Sequence, residues 1–277
     1  MIPLFVGGTG RSGTTITLKY LGTHSKIYAS DPLEIRLLTE TNGLLDLFET
    51  KNLDIFKEMF VKKWSFGTNQ TIGLGSTIPV QQLKNVVNSL DASAESIQNF
   101  YTDIFKLQTG FKQTALYLGD STPSTIRYAH RIVKLFPESK FLHFFRDGRD
   151  SAYSIYKMKN FFSVKNNKNE FDCLEWWYER VLQSFLSTRN LNPNSYLNVR
   201  FEEFILDTKE KCSFKIFNLL NLDQEQSNKE FFLNKMSSDR VSIGEWKSLK
   251  TWKEYDLRYS MLLKELEKQG ILIESWY

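Results

Sequence analysis

Cysteine and histidine are scarce in this chain: Cys173 and Cys212 are its two cysteines, and His24, His130 and His143 its three histidines, among 277 residues. So few cysteines exclude a disulfide framework and fit reduced thiols, as in a cytoplasmic protein. The histidines and cysteines are dispersed without ligand spacing, so no metal site is expected. No apolar run reaches the ~18 residues of a membrane-crossing helix. The chain opens directly on an apolar stretch with no charged n-region, which argues against a secretory signal. Only six prolines and 14 glycines are present. They form no linker and no repeat, so one domain over residues 1–277 is expected. Lysine and arginine number 36 against 32 aspartate and glutamate, a net charge of +4. That excess is too small for a nucleic-acid surface but suits a small anionic ligand. Lys157, Lys159, Lys165 and Lys168 lie in an asparagine-rich stretch that reads as a mobile loop.

What the chain does have stands at its start. Leu4-Phe5-Val6 reads as a buried strand running into Gly7-Gly8-Thr9-Gly10-Arg11-Ser12-Gly13-Thr14-Thr15. A glycine-rich turn between strand and helix aims backbone N–H groups at a phosphate or a sulfate. The spacing from Gly8 is that of GxxxxGK[ST], but Thr14 stands where that motif has lysine. A nucleoside triphosphatase needs that lysine on its β/γ-phosphates. Arg11 supplies a cation earlier in the turn, with a fork suited to a tetrahedral oxyanion.

A second stretch has the same logic. Lys140 to Phe145 fits a buried strand, Arg146-Asp147-Gly148-Arg149-Asp150 a turn, and Ser151 to Met158 a helix. Arg146 at the strand's carboxyl end and Ser154 one turn into the helix reach one crevice, the edge where open α/β sheets bind ligands. The alternative is that Arg146 and Arg149 only pair with Asp147 and Asp150 at a solvated turn.

These two motifs resemble those of sulfotransferases that use 3′-phosphoadenosine 5′-phosphosulfate (PAPS), in the carbohydrate and protein-tyrosine branches and of bacterial type. The resemblance implies that Gly10, Arg11, Ser12, Gly13, Thr14 and Thr15 hold the 5′-phosphosulfate, and Arg146 with Ser154 the 3′-phosphate. It implies sulfuryl transfer from PAPS to a hydroxyl acceptor without a metal. Glu34, followed by Arg36, matches the carboxylate base of several branches, with Asp31 as the rival. Gly119 to Ser124 is similar to a family segment in which a lysine assists the leaving group, but Ser121 occupies that position. The acid role then falls to Ser12, Ser121 or Lys112, or to Arg11 and the loop electrostatically. Phe201 matches a tyrosine near adenine, keeping the ring but not the hydroxyl. Ile243 to Lys247 is similar to a C-terminal lid, in which Arg240 and Lys247 both reach the 3′-phosphate or are plain surface cations. A carboxylate base favours saccharide or peptide acceptors over phenols. Acceptor identity and oligomeric state stay open. The rival readings are a P-loop kinase or NTPase, disfavoured by the missing lysine and the lack of an acidic strand end for a metal, and a non-catalytic nucleotide-binding protein of the same fold.

Strands are expected near 3–7, 26–29, 115–118, 140–145 and 195–200. Helices are expected at 13–22, 80–90, 95–107, 124–135, 150–158, 171–190, 208–220 and 254–268. This alternation predicts an α/β, P-loop-type three-layer domain with a central parallel sheet flanked by helices. Trp176, Trp177, Val181 and Phe185 recur at helical spacing and are read as core. His143, inside a strand, is expected in the core or behind the site. Gly67 to Pro79 is either an acceptor-site loop or an inert connection.

Overall fold

In the computed structural model, which describes residues 1–68, 71–158, 169–206, 209–236 and 242–271, the apolar run at the start of the chain becomes strand β1 (Ile2–Gly8). Leu4, Phe5 and Val6 are completely buried because β1 has hydrogen-bonded neighbours on both edges and helices over both faces. The other strands of its sheet are β2 (Ile27–Ala29), β5 (Tyr117–Asp120), β6 (Lys140–Phe145) and β7 (Tyr196–Arg200). A short antiparallel pair, β3 (Gly67–Thr68) and β4 (Thr71–Ile72), stands apart. The sheet order is β2-β5-β1-β6-β7, parallel at every pairing.

Alternation along the strands divides the core into layers. Phe5, Leu118 and Phe141 face one side, with Ile97, Tyr101 and Ile104 of the Ala94–Lys106 helix and Ile132 of the Ala129–Leu135 helix. Leu4, Val6, Leu142 and Phe144 face the other, against Leu18 and Tyr20 of the Thr14–Leu21 helix and Ile216 and Phe217 of the Lys209–Leu219 helix. A third cluster joins the helices Gly148–Lys157, Glu170–Thr188 and Trp252–Lys268. Trp176, Trp177 and Val181 are buried in it and Phe185 packs against it, the core role read from their spacing. The Gly148–Lys157 helix sits so close that a Cβ on Gly148 would come within 2.6 Å of the Trp177 ring.

The three-layer α/β architecture is therefore as expected from the alternation of elements. Boundaries moved where polar residues enter the sheet. β5 lies two residues beyond its expected place, because it ends on Asp120, a fully buried carboxylate that an apolar-run reading stops short of. The expected 124–135 helix is a 3-10 turn, Pro123–Tyr128, followed by an α-helix, Ala129–Leu135. Helices Leu44–Thr50, Leu53–Met59, Phe201–Ile205 and Gln226–Lys235 were not anticipated; three of them are seven residues or shorter and too brief to show a period.

Since every strand of the large sheet points the same way, all five carboxyl ends open on one edge. β1 and β6 are neighbours, and the chain leaves β1 toward β2 on one side of the sheet and β6 toward β7 on the other. That is where such folds leave a crevice.

Candidate functional site

The loop leaving β1 is bent by three residues in the left-handed region: Gly10 at φ 87°, Arg11 at 57° and Gly13 at 84°. Glycine adopts this without strain, whereas a non-glycine residue such as Arg11 is held there at a cost of ~1 kcal/mol. The Thr14–Leu21 helix has no side-chain cap at its start. Its first amide groups are therefore left for a ligand, and its dipole favours an anion there. The ring of Phe201, at the end of β7, lies over Gly13, so closely that a Cβ on Gly13 would approach it within 2.1 Å. Ser12 is fully buried under the loop, and its Oγ has no partner among the described residues.

The carboxyl end of β6 brings the second motif to the same place. Arg11 donates from Nε to Ser154 Oγ at 3.1 Å. Arg146 donates to the Arg11 carbonyl at 3.3 Å and to the Ser242 carbonyl. Its guanidinium stands 6.0 Å from the Phe201 ring, and Nε is buried without an acceptor among the described residues. Arg149, not Arg146, makes the ion pairs of the turn: it holds Asp147 and Asp256 at 2.5 Å each. Asp150 has another partner, the Gly244 amide, which it accepts at 2.8 and 3.0 Å. Burial pushes its carboxyl up to about 6, aided by Asp147 and Glu202 and opposed by the Gly244 bond and Arg146. The C-terminal segment is thus tied across the mouth by Ser242, Gly244 and a Lys157–Glu245 ion pair.

Facing this cationic wall is the segment after β2. Arg36 donates to Glu34 Oε2 from Nε at 3.2 Å and from the terminal nitrogen at 2.7 Å, leaving Oε1 without a partner among the described residues. Arg36 is held at φ 60° with its amide on Thr122 Oγ1 at 3.0 Å. Asp120 accepts from Thr122 N at 2.8 Å, Thr122 Oγ1 at 2.7 Å and Ile35 N at 3.4 Å. Desolvation raises its carboxyl to about 6, with the Glu34 charge adding to the rise. An acidic strand end next to β1 therefore does exist, contrary to the sequence reading. The Oδ1 of Asp120 takes all three of those bonds and its Oδ2 accepts from Tyr101 OH at 3.5 Å, so both oxygens are buried and occupied.

One cleft of about 660 Å³ joins these parts. Gly10, Arg11, Gly13, Thr14, Thr15, Glu34, Arg146, Ser154 and Phe201 all line it. Lys247 does not; it is exposed on the Glu245–Ser248 turn with its ammonium 5.7 Å from the Trp246 ring. Arg240 lies outside the described residues. Asp31 is exposed and off the cleft, its amide on Gln108. Ser121 is buried with amide and hydroxyl on the Leu33 carbonyl. Lys112 is spent on the carbonyls of Gly22, His24 and Ile27. None of the described residues of 67–79 lines the cleft. His143 is buried beside Tyr196, Nδ1 to OH 2.9 Å. The sequence reading missed Thr39, Arg127 and Lys235, which carry no motif. Lys157, placed by the sequence both in the expected 150–158 helix and in the asparagine-rich stretch, ends the Gly148–Lys157 helix and lines the cleft.

Comparison with known proteins follows the same lines. Residues 3–226 match the model of a sulfotransferase family. The chain is 23% identical over 207 residues to protein-tyrosine sulfotransferase 2 of Gallus gallus, covering 75% of this chain and 48% of that protein. It is 23% identical over 237 residues to the protein-tyrosine sulfotransferase of Drosophila melanogaster, covering 84% and 41%. The chain thus spans less than half the length of these two relatives. Among solved structures, the sulfotransferase domain of the Synechococcus PCC 7002 olefin synthase superposes with a TM-score of 0.58 at 16% identity, over 96% of this chain and 94% of that one. A sulfotransferase of Mycobacterium avium gives 0.56 at 14%, over 96% and 75%. Among the described residues no helix is long and apolar enough to cross a membrane. With its family match running from β1 past β7, the chain belongs to the sulfotransferase family.

Proposed function

We propose that this protein transfers a sulfuryl group from PAPS to a hydroxyl of an acceptor, with Glu34 as the base. The observation that carries the reading is the single cleft in which Arg11, Arg146 and Ser154 stand on one wall and Glu34 Oε1 on the other. The residues present fit the nucleotide: an uncapped helix start, a left-handed glycine turn, and a buried arginine Nε with no acceptor. PAPS would supply the sulfuryl group, its S–O bond to the 5′-phosphate breaking as the bond to the acceptor oxygen forms, with 3′-phosphoadenosine 5′-phosphate as the leaving group.

In this reading the loop amides and Arg11 hold the 5′-phosphosulfate and balance charge that develops during a loose in-line displacement. Arg146 and Ser154 hold the 3′-phosphate, which explains why Thr14 suffices where a kinase has lysine. The Phe201 ring offers a face for the adenine. Glu34 Oε1 takes the acceptor proton while Arg36 fixes Oε2 and the carboxylate plane. With Ser121 and Lys112 bound elsewhere, Arg11 and the loop, backed by Ser12 Oγ beneath it, are the groups left to stabilise the leaving phosphate. Two free, buried cysteines support a cytoplasmic location.

The test is transfer of label from ³⁵S-PAPS to a panel of saccharides, tyrosine peptides and small alcohols. Labelled product that requires Glu34 supports the reading. Turnover of ATP with magnesium and no labelled product defeats it.

A further inference from the structure

Arginines around the Glu34 side of the cleft are matched to carboxylates, with one exception. Arg36 is paired with Glu34 and Glu40, and Arg131 with Asp46 and Glu49. Arg127 has no carboxylate within ion-pair distance among the described residues; its guanidinium stands 5.8 Å from the Tyr128 ring, and the charged side chain that acts on it most is another cation, Arg180. Burial and then Arg180 depress the Arg127 guanidinium to about 10. Arg180, on the Glu170–Thr188 helix, lies 5.2 Å from the Trp176 ring and donates to Gln183 at 3.1 Å. Its Nε is buried with no hydrogen-bond acceptor among the described residues. Both of its contacts border Arg127: Trp176 lines the cleft together with Arg127, and Gln183 lines a second hollow with it. Two partly buried guanidinium groups sharing one such place are unfavourable unless an anion joins them.

Place decides which ligand that anion belongs to. Arg127 sits in the Pro123–Tyr128 turn, which is fastened to the Glu34 segment by Thr122 Oγ1 to Arg36 N and by a 2.5 Å bond between Ser124 Oγ and Thr39 Oγ1. The loop, Arg146 and Ser154, where the nucleotide is read to bind, come from β1 and β6 instead. The second hollow, of about 430 Å³, is lined by Arg127, Tyr128, His130, Gln183, Leu186 and Ser187. Arg127 and Tyr128 line both the cleft and this hollow, so the two adjoin at Arg127.

We propose that Arg127 and Arg180 form an anion subsite for the acceptor, one that takes a carboxylate or sulfate carried outside the reacting hydroxyl. The proposal rests on the sulfuryl-transfer reading of the cleft. Planar guanidinium forks are suited to either group. The acceptor is then an anionic molecule long enough to reach from Glu34 past Arg127.

The experiment is calorimetric titration of the full chain, with and without 3′-phosphoadenosine 5′-phosphate (PAP), using two matched pairs of probes. One pair is 4-nitrophenyl β-D-glucuronide and the corresponding glucoside; the other is a tyrosine peptide with flanking glutamates and its glutamine counterpart. The expected result is at least ~10-fold tighter binding of the acidic member of one pair, which also identifies the source of the anion. Arg127→Gln should erase that preference and Arg180→Gln reduce it, with PAP affinity unchanged and the melting temperature no lower. Equal binding within both pairs, no binding by any probe, or a preference that survives Arg127→Gln overturns the subsite. Failure of the unsubstituted protein to bind PAP defeats the sulfuryl-transfer reading, whereas the PAP-free titrations report on the subsite separately.

Discussion

Ser121 donates twice to one acceptor, the Leu33 carbonyl, from its amide at 2.8 Å and its hydroxyl at 2.9 Å. Ser30 Oγ reaches the same carbonyl at 3.1 Å. The next residue is Glu34, so the position at which the family resemblance places a lysine serves here to fix the segment that carries the proposed base. Ser121→Ala should cost about 1 kcal/mol of stability, the usual net value of one such bond, and lower turnover without altering PAP affinity. Ser121→Lys should destabilise by several kcal/mol, because it places an unpaired ammonium where Ser121 is wholly enclosed. Urea melts and steady-state rates check both; faster turnover in Ser121→Lys would show that the position carries an acid.

Glu34→Gln keeps the volume and an oxygen for Arg36 but cannot take a proton. The rate constant for transfer should fall by ~10²- to 10⁴-fold, the usual worth of a general base, while PAP binds as before. Asp31→Asn, off the cleft, should change the rate less than ~2-fold. Comparable losses in the two variants would contradict the assignment of the base.

Stability should respond to pH through buried groups of opposite sign, His143 on one side and Asp120 with Asp150 on the other. Burial holds the His143 imidazole down at about 4, against about 6.5 in an unfolded chain. Between those values the unfolded chain binds the proton and the folded one does not, so stability rises with pH, by about 3 kcal/mol in all. Asp120 is raised to about 6, so from pH ~4 to ~6 the folded protein holds a proton that the unfolded chain has lost, and stability falls as pH rises. Denaturant melts of His143→Gln and Asp120→Asn across pH 4–7 separate the two. The difference from the unsubstituted protein should slope one way for His143→Gln and the other for Asp120→Asn; parallel curves would remove both groups from the account.

Asp150 binds the C-terminal segment through the Gly244 amide with both oxygens. Asp150→Asn loses one acceptor and the charge, and should weaken PAP binding ~5- to 10-fold by loosening the strap that reaches Arg146 through Ser242. An unaltered PAP affinity in a calorimetric titration would show that the strap does not act on the nucleotide site.

How much of this was legible in the sequence follows from what each part depends on. That Gly8 to Thr15 and Lys140 to Ser154 meet at one cleft was readable because backbone geometry and short-range spacing mark both: glycines where φ is positive, an apolar strand, an arginine at its end. Glu34 was separable from Asp31 only in three dimensions, since the choice rests on which carboxylate faces the cleft three residues apart. Ser121, Lys112 and Lys247 kept the right residue types for their suggested roles, yet the directions of their side chains are set by Leu33, by three distant carbonyls and by Trp246. Arg127 and Arg180 belong to a turn and a helix with no motif. What marks them is a missing partner, which no linear pattern records.

The most direct measurement is calorimetric titration with PAP and with adenosine 5′-phosphate, which lacks the 3′-phosphate, on the unsubstituted protein and on Arg146→Ala. The account predicts micromolar PAP binding that weakens at least ~30-fold when either the 3′-phosphate or Arg146 is removed, with little further loss when both are, as for one charge-assisted contact of about 2 kcal/mol. Equal affinity for the two nucleotides, or tighter binding of ATP with magnesium than of PAP, would contradict it.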